Sequence, residues 1–116
     1  MGNRYKVKTK SIMPTDKNTC YICGKYLDKG WRHLHHCIHG TANRAISDKE
    51  GLVIWLCSDC HTGGKHAVHR CRATDLMIEQ DAQTVWENNY IIKNDATKEE
   101  ARAAFIGLFG KSYIYD

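Results

Sequence analysis

Two pairs of cysteines, Cys20-x-x-Cys23 and Cys57-x-x-Cys60, stand at the spacing that lets both thiolates of a tight turn face one ion. Four thiolates complete a tetrahedral shell, which suits zinc and leaves no open position for a substrate, so a structural site is expected. Disulfides or a redox pair are the competing readings. In a reducing cytosol, with two matched pairs, metal binding moves ahead of both. Cys37 and Cys71 fall outside this scheme and are expected to be buried packing residues. All seven histidines lie within residues 33–69: His33, His35, His36, His39, His61, His66 and His69. Neutral imidazole binds divalent ions and takes up a proton near neutral pH, so a cluster of them can do both. One histidine alone would read as a surface or satisfied core residue. Seven flanking a zinc scaffold are harder to dismiss.

Something must hold these residues in place. The segment from Cys20 to Leu56 reads as short strands and tight turns, with Gly24 where the first knuckle bends and Leu52-Val53-Ile54-Trp55-Leu56 as a buried strand. Gly63-Gly64 opens a loop before His66 and His69. From about Asp75 the period changes. Ile78, Ala82, Val85 and Trp86 form one apolar stripe of a helix that Thr74 or Asp75 can cap. A second helix is expected from Thr97, where Thr97-Lys98-Glu99-Glu100 has the form of a capping box. Ala101, Ala104, Phe105 and Leu108 make its buried face, and Gly110 ends it. The expected organisation is a basic arm over residues 1–19, a zinc-stabilised core over 20–74 and a helical extension over 75–116, all in one α+β domain. In the arm, Arg4, Lys6, Lys8 and Lys10 alternate, so an extended chain presents them on one side; a disordered terminus is the plainer alternative.

The 116 residues are 42% hydrophobic and 26% charged, which excludes a fibrous or wholly disordered chain. No apolar run is long enough for a membrane helix, and none follows the basic N-terminal residues as in a secretory signal, so a cytoplasmic protein is expected. The net charge of +4 conceals a division: residues 1–74 carry +8 and residues 75–116 carry −4. Every cysteine and histidine lies in the basic part, a combination that suits a polyanion such as DNA.

Taken together, His35-His36, Asn43 and Cys57-Ser58-Asp59-Cys60-His61 resemble the HNH endonucleases of the ββα-metal fold. The wider string Gly40-Thr41-Ala42-Asn43-Arg44, Gly51-Leu52, Leu56-Cys57 and Val68-His69 is similar to a phage-encoded branch of that family, over roughly residues 20–90. The resemblance implies a treble-clef-like core followed here by two C-terminal helices. In that core a hairpin, a connecting loop and a helix grip one divalent ion (Mg²⁺, Mn²⁺, Ni²⁺ or Zn²⁺) beside the structural zinc. It implies hydrolysis of DNA phosphodiesters, in the host cytoplasm if the chain is phage-encoded. His36 matches the general base, and His35 and His61 match metal ligands. The usual third ligand position holds Lys65; with Gly63-Gly64 inserted, that role moves to His69, with His66 as second candidate. Asn43 is expected to brace the hairpin, its plainer reading being a turn residue. Arg44 and Lys65 are candidate phosphate contacts. The alternative is a zinc-stabilised nucleic-acid-binding module without catalysis, and a weaker third is a protein-interaction adaptor. The C-terminal helices are open to a protein partner or a homodimer contact.

Overall fold

Residues 11–115 are described by a computed structural model of the chain. After a 3₁₀ turn at Lys29–Trp31 come strand β1 (His33–His36), helix α1 (Thr41–Glu50) and strand β2 (Val53–Leu56). A π-helical turn at Asp59–Gly63 and the long helices α2 (Arg72–Asn94) and α3 (Lys98–Phe109) follow. β1 and β2 form a two-stranded antiparallel sheet in which His35 faces Ile54 and His36 faces Val53. The basic arm residues Arg4, Lys6, Lys8 and Lys10 lie outside the described residues. Residues 11–19 are not a free arm: Ile12 N–H bonds the Gly51 carbonyl, Ser11 Oγ bonds that of Val53, and Met13 is buried.

The expected strand at Leu52–Leu56 forms as β2, fully buried at Ile54 and Leu56. The main departure is α1, where strands and turns were expected. Its sequence, TANRAISDKE, buries only Ser47, so no apolar stripe announces it. The helix is defined by its ends instead. Gly40 precedes it at φ 109°, and Gly51 closes it in the left-handed region at φ 78°, its N–H reaching the Ser47 and Asp48 carbonyls. Ser47 ties α1 to the end of β1, donating to the Ile38 carbonyl at 2.7 Å and accepting from the Ile38 N–H at 3.1 Å.

α2 begins at Arg72, earlier than the Thr74 or Asp75 cap suggested, and the residue before it is Cys71. Asp75 cannot cap, because its carboxylate is held by His39 and Arg72. Cys37 is buried as expected, whereas Cys71 is not a core residue but half-exposed at the helix start. Ile78, Ala82 and Trp86 carry the expected stripe of α2 into the core. In α3 the Thr97–Glu100 capping box and the left-handed Gly110 are both present. Phe105 is the centre of the helical layer, 5.7 Å from Trp86 and 4.7 Å from Phe109 between ring centres. Among the described residues no helix is long and apolar enough to cross a membrane.

Candidate metal centre

The four knuckle cysteines come together from two turns. Gly24 N–H bonds the Cys20 carbonyl and His61 N–H bonds the Cys57 carbonyl, so each pair sits in a closed turn. All four Sγ atoms lie within 4.8 Å of one another, with Cys23 and Cys57 at 3.8 Å. A zinc ion about 2.3 Å from four tetrahedral sulfurs separates them by about 3.8 Å, so the group has the size zinc requires. Backbone N–H groups of Cys23 and Cys60 point at the Cys20 and Cys57 sulfurs. Burial raises the Cys20 thiol, but backbone donors from Cys23, Cys57 and Ile22 outweigh it and bring it down to about 7. Burial and the neighbouring sulfurs of Cys57, Cys20 and Cys23 push Cys60 up. These thiols can hold a structural ion such as zinc.

Beside this frame the imidazoles converge. His35 leaves β1 inward and is 2% exposed. His61 comes from the π-helical turn and His69 from the turn that follows it. Together their ligand nitrogens lie within 4.8 Å. His61 and His69 approach through Nε2 at 3.1 Å, and His33 meets the other nitrogen of His61 at 2.9 Å. Ions that bind nitrogen at about 2.0–2.1 Å space neighbouring nitrogens by roughly 3.0–3.4 Å, so the spacing fits a shared cation. Among the described residues the buried Nε2 of His35 has no hydrogen-bond partner, which is costly unless something else meets it. Burial, then His61 and His69, depress the His35 pKa to about 3, and burial with His69 and His33 depresses that of His61 to about 4. Both rings are therefore neutral at physiological pH, the state in which imidazole ligates. The local frame for His61 and His69 depends on Gly64. A Cβ there would stand 2.8 Å from the Asp59 carbonyl oxygen, in the closure that ends the π-helical turn.

His36 points elsewhere. Alternation along β1 turns it to the side opposite His35, where its Nε2 lies 3.3 Å from Asp48 of α1. Burial lowers its pKa, the Asp48 contact opposes this, and Arg44 adds to the lowering, so Arg44 is an electrostatic neighbour of His36. Arg44 and Lys65 are both exposed. Asn43 donates to the Phe109 carbonyl at 3.2 Å, which corrects its expected place: lying in a helix and not in a hairpin turn, it braces α1 against the end of α3. His66 is exposed and interacts with Cys71, while His69 completes the imidazole group.

A third constellation was not foreseen. His39 bonds both oxygens of Asp75, at 2.9 and 3.0 Å, with Glu79 at 3.8 Å, and Arg72 bridges the two buried carboxylates at 2.7 and 2.9 Å. His39 thereby stands beside the cluster, its ring centre 6.2 Å from that of His69 and 6.3 Å from that of His35. The i, i+4 spacing of Asp75 and Glu79 put both on one helix face, but nothing local marked that face as the one meeting His39. Burial, then the neighbouring Asp75 charge, raises the Glu79 pKa, and Arg72 offsets part of that rise. In comparisons with protein families, curated proteins and solved structures, nothing matches this chain.

Proposed function

We propose that the protein is a metal-dependent DNA endonuclease of the ββα-metal type. The antiparallel β1–β2 pair, joined through α1, and the turn after the second knuckle would play the parts of the two strands and the helix in that fold. The observation that carries the reading is that buried His35, whose Nε2 has no hydrogen-bond partner among the described residues, can share one ion with His61 and His69 from a distant stretch of chain. Three imidazole ligands leave coordination positions open, unlike the four-thiolate group. His35, His61 and His69 would hold a divalent ion (Mg²⁺, Mn²⁺, Ni²⁺ or Zn²⁺), which when bound would supply Lewis-acid stabilisation of the charge that builds on a phosphate during hydrolysis. His36 takes the proton from the attacking water, and Asp48 orients its ring for that task. Arg44, close to His36, contributes positive charge for the phosphate, and Lys65 does the same from the loop between His61 and His69. Because His35 and His36 leave β1 on opposite sides, the reading requires the scissile phosphate to lie across the strand.

That opposition is also the observation favouring the second reading, a nucleic-acid-binding module without catalysis. Plasmid cleavage with added Mg²⁺, Mn²⁺ or Ni²⁺ separates the two. The nuclease reading predicts cutting that stops with chelator and falls at least about a hundredfold in His36→Ala, the typical range for a lost general base. Retained zinc and helical signal in that variant show that it folds. Binding without cutting of either the plasmid or a single-stranded circular DNA under any of these ions contradicts the nuclease reading.

A further inference from the structure

Two large aromatic side chains stand in solvent just before the imidazole cluster. Tyr26 is 67% and Trp31 65% exposed, while the chain's other tryptophans, Trp55 and Trp86, are half-buried and buried. The segment that carries them is ordered by its backbone. Tyr26 bridges Thr19, Leu27 N–H bonds the Asn18 carbonyl with its side chain in the core, and Trp31 N–H bonds the Asp28 carbonyl at 2.8 Å. The exposed rings are thus presented by a fixed loop. Within residues 25–32 stand Lys25, Lys29 and Arg32 against Asp28, with Arg32 donating to Asn18 and Asp16 pairing with Thr19 beside Tyr26. Among the described residues neither ring is buried by a neighbour, and both stand beside basic side chains.

From the geometry we infer that this loop is a stacking platform for unpaired nucleobases, and that the substrate is DNA with a single-stranded segment. The inference rests on the nuclease reading for the meaning of the cluster and adds the substrate class. Aromatic faces stack on bases only when those bases are unpaired or flipped out, whereas lysine and arginine beside them meet the intervening phosphates. Trp31 lies two residues before His33, whose ring touches His61, so their Cα atoms are at most about 7 Å apart. A base stacked on Trp31 therefore belongs to a nucleotide close to the phosphate served by the imidazoles. Paired duplex offers no base face at that position.

The test is binding of a fluorescein-labelled oligothymidylate and of a labelled duplex of equal length to the full chain, without added divalent ion, so that no cleavage is needed. The oligothymidylate should bind more tightly and quench tryptophan fluorescence. Trp31→Ala should weaken it by about tenfold, the usual effect of losing one base–aromatic stack, and leave the duplex nearly unchanged. Trp31→Phe should keep most of the affinity and lose the quench. Trp31 is exposed, so neither variant disturbs the core. Equal affinity for both DNAs, or an unchanged affinity in Trp31→Ala, overturns the inference. The nuclease reading fails separately: stacking without metal-dependent cutting removes that reading alone, and cutting of duplex plasmid with no role for Trp31 removes this one alone.

Discussion

At the scale of single residues, the histidines divide by what burial does to them. His35 is held neutral by burial and by the surrounding imidazoles, down to about 3, and His61 to about 4, against an ordinary value of 6.5. In the unfolded chain both take up protons near 6.5, so below that pH the unfolded state binds more protons than the native one. Their contribution to stability is complete above about pH 6.5 and is lost progressively as pH falls toward about 4 and then 3. Urea midpoints measured from about pH 7 to about pH 5 should fall, and fall less steeply in His35→Leu. A midpoint that stays level or rises over that interval contradicts the buried neutral assignment. The roles of these residues were unevenly legible. The cysteine spacing and the concentration of histidines are local patterns, and they led to the residues that do converge. The partners Asp48, Asp75, Glu79 and Arg72 were not legible, since each is chosen by a long-range contact that leaves no mark on its neighbours in sequence.

Among the elements, those with their own periodic or capping signal were readable: β2 from its apolar run, α2 from its stripe, and α3 from its capping box and terminal glycine. α1 was not, because it buries only Ser47 and is positioned by side-chain bonds from Ser47 and Asn43. The same kind of bond joins α2 to the chain after α3. Gln83 is wholly buried; it donates to Glu87 at 2.8 Å and Ser112 at 2.9 Å and accepts the Tyr113 N–H at 2.7 Å. Arg102 of α3 donates to the same Glu87 at 2.7 Å. Gln83→Ala strands the buried Tyr113 N–H and opens a cavity, and should cost about 2–3 kcal/mol of unfolding free energy. Thr97→Ala, which removes an exposed cap, should cost only about 1 kcal/mol. Chemical denaturation of the two variants checks the order, and equal losses would show that the Gln83 network does not hold the helices together.

For the whole molecule, the cysteine frame, which can hold a structural ion such as zinc, flanks the segments that carry the converging imidazoles. Structural zinc sites contribute on the order of 10 kcal/mol, as much as the net stability of a small domain. Cys57→Ser should therefore abolish cooperative unfolding and lose bound zinc, while an unchanged melt would contradict a four-thiolate ion. The most direct test of the central claim, that this frame builds a second and open cation site from His35, His61 and His69, is cobalt titration of the full chain followed by absorption. The account predicts one ion with thiolate charge-transfer bands and a further ion without them, with His35→Gln or His61→Gln losing only the further ion. Saturation by the thiolate-bound ion alone, or identical titrations for the wild type and both histidine variants, would contradict it.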